Sequence, residues 1–382
     1  MRFCLLTALG ALVLVAGCTS SPNEEPTPKP SASATPAAPI DPAKATLLKV
    51  GTDLPIVADL PEKVGKEETN FLGFASANVL FGQFSGPDKD GGSTQSHPML
   101  YNRNSRSFTR LDAGVERPRK TQLLDMASVE ADTVWVEAAE ANVAEGGITM
   151  YTYDRTSGFR RALRDTPLPD DKLVYAEDLA LFDTRVYFSM ASINNKVGEG
   201  AAIYSAAANG GGHVKLLVED GQRLTVDGSK MTYSVGKEKF VRDLETDDTT
   251  AAPVSPQAGD AAFCGAKFAT VYKTSCEGAS VGKSGVERAV LTVTGPSHRA
   301  TKIGPFPGTA PEVVGVVGPW LAFTSVDDGV KREYLYGLTS RKLSELPAGV
   351  RLGPAVAPNL ALLNVPDSAG LNHQSVVSLP AL

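Results

Sequence analysis

A short apolar pattern recurs along most of the chain. Two or three apolar residues are followed by an aromatic or large aliphatic residue, and then by a small or polar one. The seven copies occupy residues 79–82, 134–137, 186–189, 231–234, 270–273, 321–324 and 361–364. Their third positions are 39 to 55 residues apart, 47 on average. β-rich units at this period are typical of propellers, so the sequence predicts seven blades.

The residues around each copy complete a blade of four strands. A short strand precedes the copy, as at 313–317, and further β-like runs follow it through tight polar turns, as at 148–154 and 159–163. The last unit ends near residue 379, and we expect residues 45–50 to supply its missing outer strand. That pairing would close the ring and protect its sheet edges.

The fold class expected for residues 45–382 is therefore all-β, a single seven-bladed β-propeller of four-stranded blades. Two packed β-sandwich domains are the alternative. The sixth unit, residues 320–346, resembles the repeats of TolB-like propellers: an Ala-Phe-Thr strand, an Asp-Asp-Gly loop and a Leu-Tyr strand follow one another. The resemblance implies a stacked ring of blades that binds proteins or peptides, although propellers have many functions.

The N-terminus carries an export signal. Arg2 precedes an uncharged apolar run, residues 3–15, that is too short to span a bilayer stably. Residues 15–18, Val-Ala-Gly-Cys, resemble the bacterial lipobox. The resemblance implies cleavage before Cys18 and a diacylglyceryl group on its sulfur, and two or three acyl chains would hold the protein to a membrane. An ordinary signal peptide with a cysteine near its cleavage site is the alternative.

The expected organisation has three parts. Residues 1–17 are the signal peptide, residues 18–44 are the lipidated cysteine and a disordered linker, and residues 45–382 are the propeller. Seven prolines, with Ser, Thr and Ala, dominate the linker, and such a segment cannot bury enough apolar surface to fold. We expect the protein at the cell membrane, anchored on its extracytoplasmic face.

Charge and motifs narrow the function classes. The net charge is -6, which argues against nucleic acid as a partner. No nucleophile elbow, phosphate loop or dinucleotide fingerprint occurs, so we expect no catalytic residue and no cofactor. The four histidines lie in different units without ligand spacing, and we expect solvated loop residues and no metal site: His97, His213, His298 and His373. Residues 88–92 loosely resemble a calcium loop but lack its terminal Glu.

Two further cysteines remain in the mature chain, Cys264 and Cys276. Exported proteins normally oxidise such a pair, and the bond would stabilise the fold by about 3 kcal/mol. If residues 265–267 form a tight turn, however, Cys276 ends the next strand beyond bonding distance. We expect the disulfide, with two free thiols as the alternative.

These observations favour a membrane-anchored scaffold whose propeller binds a protein, a peptide or a cell-wall component. One alternative is an extracytoplasmic hydrolase or lyase with its active site in the central funnel, since residues that meet there are distant in sequence. Another is a structural part of a larger envelope assembly.

The lipid anchor predicts the behaviour of one variant. Cys18→Ala removes the only sulfur that the lipobox resemblance marks for acylation, so the variant should leave the membrane fraction. Fractionation and immunoblotting of cells that express either protein measure this change, with Cys276→Ala as the control that stays bound. A Cys18→Ala protein that remains in the membrane contradicts the anchor.

Overall fold

The fold was analysed in a computed structural model. It describes residues 38–87, 94–115, 121–129, 131–139, 148–163, 174–192, 201–211, 213–236, 238–251, 273–277, 281–282, 285–286, 289–294, 300–306, 311–317, 320–327, 329–356, 359–366 and 372–379. Among these residues, no helix has the length and apolar character that crossing a bilayer requires.

Nearly all of the regular structure is β-strand. Blade 1 consists of β3 (Lys63–Val64), β4 (Glu67–Ser76), β5 (Val79–Pro87), β6 (Thr94–Asn102) and β7 (Ser107–Arg110). Blade 2 consists of β8 (Thr121–Val129), β9 (Asp132–Ala139), β10 (Ile148–Asp154) and β11 (Arg160–Leu163). Blade 3 consists of β12 (Val174–Phe182), β13 (Arg185–Ser192), β14 (Ala202–Ala207) and β15 (Lys215–Glu219).

The remaining blades follow the same antiparallel order. Blade 4 consists of β16 (Gly221–Asp227), β17 (Lys230–Val235), β18 (Glu238–Asp243) and β19 (Thr249–Ala251). Blade 5 consists of β25 (Glu312–Val317), β26 (Trp320–Asp327), β27 (Val330–Gly337) and β28 (Leu343–Glu345), with β1 (Thr46–Leu47) at its edge. Blade 6 consists of β29 (Arg351–Val356), β30 (Leu360–Pro366), β31 (Asn372–Ser378) and β2 (Ile56–Asp59).

The prediction of seven four-stranded blades is wrong in its count, because the described residues form six complete blades. Along the chain, a three-stranded sheet of β20 (Lys273–Glu277), β23 (Ala289–Thr294) and β24 (Ala300–Phe306) follows blade 4 and precedes blade 5. A separate hairpin pairs β21 (Val281–Gly282) with β22 (Gly285–Val286). The recurring pattern at 270–273 belongs to this part of the chain, and its first three residues lie outside the described residues.

The first strands of neighbouring blades lie side by side, and in blade 1 this strand is β4, since the two-residue β3 only extends its edge. β25 contacts β29, β29 contacts β4, β4 contacts β8, β8 contacts β12, and β12 contacts β16. These strands form the inner wall of a ring, and later strands of each blade lie further out. This is the arrangement of a β-propeller, as the sequence predicted.

Apolar clusters fill the junctions between adjacent sheets. One cluster lies between blades 1 and 2, and others between 2 and 3, 3 and 4, 5 and 6, and 6 and 1. The three-stranded sheet shares a sixth cluster with blade 5. Blades 1, 2, 3, 5 and 6 each share an apolar cluster with a neighbouring sheet on both faces, and blade 4 shares one with blade 3.

Adjacent residues of one strand pack against different neighbouring sheets. On β26, Trp320 and Ala322 pack toward blade 6, whereas Leu321 and Phe323 pack toward the three-stranded sheet. All four are almost inaccessible to solvent. Successive side chains of a strand point to opposite faces, so a strand covered on both faces needs a continuous apolar run. This need explains why six copies of the recurring pattern fall on second strands.

Blade 6 joins the two ends of the propeller. β2 pairs antiparallel with β31, with Ile56 opposite Val377 and Asp59 opposite Ser375. The expectation that residues 45–50 would supply this strand is wrong, because two of them form β1, which runs parallel to β28. The chain then buries apolar residues between blades 5 and 6, among them Leu54, before it pairs with β31.

The chain is already attached to the propeller within the predicted linker. The N–H of Ile40 donates to the carbonyl of Lys302 (2.8 Å), and the carbonyl of Ile40 accepts from Gly304 (2.8 Å). A single 3₁₀ turn, Pro42–Lys44, follows, and the Asp41 carboxylate caps it. Residues 40–44 therefore pack beside β24 before β1 begins.

Every first strand of the six blades carries a β-bulge against its second strand. The register shifts after Phe71 in β4 and after Leu352 in β29, and β8, β12, β16 and β25 have corresponding shifts. A bulge leaves backbone groups without ladder partners, so each needs another partner.

Two long side chains supply such partners from the preceding blade. The Gln374 amide of blade 6 accepts from the N–H of Phe71 (2.7 Å) and donates to its carbonyl (2.9 Å). The Glu333 carboxylate of blade 5 accepts from the N–H of Leu352 (2.8 Å). Burial raises the pKa of Glu333, although this hydrogen bond and two nearby cations oppose the effect.

Gln374 can be tested by replacement with leucine. Gln374→Leu keeps an apolar side chain of similar size but leaves the buried backbone groups of Phe71 unpaired, so we expect the free energy of unfolding to fall by about 2–4 kcal/mol. Urea denaturation measures the loss. Gln122→Leu, at an exposed position on β8, is the matched control and should stay within about 0.5 kcal/mol of the parent. Equal stability of the two variants would contradict the role of Gln374.

The raised pKa of Glu333 predicts that the stability of the parent and that of a Glu333→Gln variant depend differently on pH. Because its folded pKa lies above its ordinary value, the folded state binds the proton more tightly than the unfolded state, and stability falls as pH rises through that window. Glu333→Gln keeps an acceptor for the N–H of Leu352 and removes the ionisation. In urea unfolding the variant should match the parent near about pH 4 and be at least as stable near about pH 7. Glu333→Leu, which lacks the acceptor, should be less stable at both; a Gln variant as unstable as the Leu variant would count against this account.

Candidate functional site

The two faces of the ring differ in their connections. On one face, two-residue turns join first to second strands, as at residues 77–78, 183–184 and 228–229. On the other face lie the ends of the second strands, the starts of the third strands and the links between blades, as at residues 111–115 and 346–350. We name them the turn face and the loop face. Long surface connections carry binding residues more often than tight turns, so the loop face is the candidate functional surface.

Two blade links on the loop face share a sequence and a geometry. Residues 111–115 read Leu-Asp-Ala-Gly-Val and residues 346–350 read Leu-Pro-Ala-Gly-Val. The glycines have φ angles of 78° and 80°, which glycine adopts without strain. In each link the leucine is buried, and its N–H donates to a carbonyl on the third strand of the same blade, at 2.9 Å and 2.8 Å.

This hydrogen bond defines equivalent positions in three successive blades. Leu111 bonds to Pro98, Leu346 to Glu333, and Leu60 of blade 6 to Gln374. The residue before each acceptor is basic in all three cases: His97, Arg332 and His373. The loop face therefore carries a basic side chain at one fixed register of blades 1, 5 and 6.

Each of these basic residues meets a carboxylate near the end of its blade. Arg332 forms an ion pair with Glu345, at 2.8 Å between Nη1 and Oε1. His373 contacts Glu62 through Nδ1 (2.9 Å) and Asp59 through Nε2 (3.5 Å). The carboxylates raise the pKa of His373, and the hydrogen bond that His373 donates to Glu62 is the main cause.

His97 lies in the most buried of the three groups. Its Nδ1 is 2.5 Å from Oδ2 of Asp112, and its Nε2 is 4.0 Å from Oε1 of Glu67. Arg110 contacts both of these carboxylates, at 3.1 Å and 3.7 Å. The side chains of His97 and Asp112 are only 13% and 7% exposed. The charged groups of this network therefore contact one another, and His97 and Asp112 have little contact with solvent.

Blade 4 carries a different arrangement, in which two cations lie together. Arg223 lies in the bulge of β16. Lys239 lies on β18 opposite Ser234 of β17, which in turn lies opposite Gln222 of β16. Burial lowers the pKa of Lys239, and the charge of Arg223 lowers it further. Within the described part of the chain, neither cation has a hydrogen bond or an ion pair.

The backbone at Arg223 is unusual. Its φ is 55°, and among the described non-glycine residues with positive φ it alone lies inside a strand. Asp178 of blade 3 holds this bulge in place, because its carboxylate accepts from the N–H of Leu224 (2.9 Å) and from the Ser189 hydroxyl (3.2 Å). Strained backbone held in this way is commonest at functional sites.

The chemistry available on the loop face follows from these charges. The paired groups on blades 1, 5 and 6 already satisfy one another. Arg223 on the innermost strand β16 and Lys239 on β18 have no counter-ion among the described residues. An anionic group such as a carboxylate would oppose the lowering of the Lys239 pKa and would accept charge-assisted hydrogen bonds from both cations. Within the described residues, no group of three or more His, Cys, Asp or Glu side chains is arranged to hold a metal ion.

Several sequence-predicted positions lie outside the described residues: Cys18, Cys264, His298 and the segment 88–92. Cys276 is described only as backbone, opposite Leu291 in the three-stranded sheet. The lipid attachment, the disulfide and the calcium loop therefore stay predictions.

The histidine prediction is wrong for two of the described residues. His97 and His373 lie in strands and contact carboxylates, whereas His213 is exposed beside a turn, as expected. The sequence analysis missed the Arg223 and Lys239 pair. The Leu-x-Ala-Gly-Val motif could have located the equivalent positions of blades 1 and 5, but nothing local marks the partners of His373.

Comparison with solved structures identifies the fold. The chain is similar to the β-propeller domain of the trilobed protease from Pyrococcus furiosus, with a TM-score of 0.54 and 7% identity over 84% of this chain and 97% of that one. That structure is described as having an open velcro topology, whereas here β2 and β31 join the chain ends in one blade. No family model and no curated protein matches the sequence.

A second likeness is to an acylaminoacyl peptidase from Pyrococcus horikoshii, with a TM-score of 0.52 and 8% identity. It covers 82% of this chain and 52% of the peptidase, so the chain spans about half the length of that enzyme. At these identities the likeness is one of fold alone. The protein is an all-β propeller.

Proposed function

We propose that the protein is a lipid-anchored, extracytoplasmic binding module whose loop face takes a polypeptide ligand. The ligand presents a carboxylate, from an acidic side chain or a chain terminus, to Arg223 and Lys239. The anchor is the acyl group on Cys18, and the linker lets the propeller reach a partner near the membrane.

Arg223 on β16 and Lys239 on β18, which have no partner among the described residues, carry this proposal. A half-buried lysine beside an arginine lowers the stability of the free protein, and a bound carboxylate removes that cost. The strained bulge beside Asp178 supports it, because a backbone held in a rare conformation fixes where Arg223 lies.

The likeness to the propellers of a protease and of an acylaminoacyl peptidase supports a polypeptide as the ligand class. Both names describe proteins that act on peptide bonds. The predicted export signal supports a partner outside the cytoplasm.

Site-specific photo-crosslinking tests which face binds. Val330 on the loop face and Phe159 on the turn face are both about half exposed, at 49% and 52%, so they form a matched pair. With p-benzoylphenylalanine at position 330 of the full anchored chain, irradiated cells should yield a reproducible protein adduct. The same probe at position 159 should yield none, and the opposite result would contradict binding at the loop face.

Charge variants test the site itself. Arg223→Ala and Lys239→Met each remove a charge-assisted contact, so the adduct yield from position 330 should fall about tenfold. Arg341→Ala is the control, since Arg341 is an exposed arginine that also has positive φ (57°) but lies on the turn face. If all three variants crosslink like the parent, the two cations do not bind the ligand.

A further inference from the structure

Blade 6 joins two segments that are more than 300 residues apart in sequence. One histidine on the C-terminal segment contacts two carboxylates on the N-terminal segment. His373 is on β31, Asp59 is on β2, and Glu62 follows β2 by three residues. The Ser375 hydroxyl, on the strand of the histidine, also donates to Asp59 (2.9 Å). The contacts of His373 therefore connect the C-terminal strand with the N-terminal strand.

The equivalent position of blade 5 shows what is unusual here. There, Arg332 pairs with Glu345, so the third and fourth strands are connected by a permanent cation. Asp59 precedes Leu60 as Glu345 precedes Leu346, and both leucines bond to the third strand of their blade. Blade 6 has the same connection, but with a cation that can lose its charge near neutral pH.

We propose that His373 forms a proton-dependent clasp, which holds the N-terminal strand β2 on β31 when it is protonated and loosens it when it is neutral. Protonated imidazole donates to Glu62 and Asp59 and neutralises part of their charge. Neutral imidazole keeps only one donor and carries no charge, so the attraction between β31 and the two carboxylates of the N-terminal segment is lost.

The direction of the pH effect follows from the carboxylates. They raise the pKa of His373, so the folded protein binds this proton more tightly than the unfolded chain does. The stabilisation is fully present below the ordinary histidine pKa of about 6.5 and is lost as pH rises through the higher folded value. The clasp therefore favours a closed ring in acid.

Among the described residues, His373 is the only basic group in contact with Asp59 and Glu62. On β30, the residue opposite His373 is Val365. The next charged pair along the chain is Lys63 with Glu68 of β4, at 3.7 Å, and it pairs internally. The apolar burial of Leu54 and Leu60 keeps β2 docked at every pH, so the clasp changes how often the strand opens.

Hydrogen–deuterium exchange reports on this opening. The N–H of Leu60 donates to Gln374 and that of Leu346 donates to Glu333, so one amide reports on the clasp and the other on its permanent equivalent. In the full chain, protection of the Leu60 peptide relative to the Leu346 peptide should fall about two- to fivefold between about pH 5.5 and pH 8.5, as expected for a partly exposed ion pair. Protection is corrected for the intrinsic pH dependence of exchange.

A reciprocal exchange of side chains gives the decisive test. His373→Arg should abolish the pH dependence at Leu60 and keep protection high, whereas Arg332→His should create one at Leu346. Glu62→Gln should move the midpoint of the wild-type change to lower pH, because Glu62 is the main cause of the raised pKa. A wild-type ratio that does not vary with pH, or a His373→Arg protein that keeps the variation, overturns the proposal; if Arg332→His fails to fold, the other two variants decide.

Discussion

The structure depends on apolar burial between neighbouring sheets. A single four-stranded sheet cannot bury two apolar faces alone, so each blade needs a neighbour on either side, and a row of blades needs to close. The six apolar clusters lie between sheets, and every one contains residues of two sheets. Closure into a ring removes the exposed terminal face that an open stack would keep.

Blade 6 has a special role in closure, because β2 comes from the N-terminal part of the chain and the other three strands come from the C-terminal part. Apolar residues such as Leu54 and Leu60 supply most of its burial, while polar side chains set how its strands align. Gln374 bonds to the backbone of Phe71, 303 residues away, and His373 contacts Glu62, 311 residues away. The junction between the chain ends is thus where a few polar contacts have the longest sequence separation.

Charge on the loop face divides into two kinds. On blades 1, 5 and 6, a basic residue at one register is paired with a carboxylate, and these pairs connect strands. On blade 4, Arg223 and Lys239 have no counter-ion among the described residues, and the first of them stands on a bulge that Asp178 fixes. Paired charges stabilise the scaffold, whereas unpaired charges on a fixed backbone are available to a ligand.

The amino-acid sequence alone determined the features that depend on local pattern. The recurring apolar run predicted six second strands correctly, because a strand buried on both faces must be apolar at successive positions. The lipobox resemblance is equally local, and residues 15–18 carry it whatever the rest of the chain does.

Tertiary structure decided everything that depends on which distant segments meet. It replaced residues 45–50 with β2 as the outer strand of blade 6, because the chain first buries Leu54 between two blades. It placed carboxylates against His97 and His373, which look like solvated loop residues when only their neighbours in sequence are considered. It also brought Lys239 near Arg223 across two strands. The physical reason is that hydrogen bonds and ion pairs act over a few ångströms in space, and a sequence pattern specifies such distances only within one strand or turn.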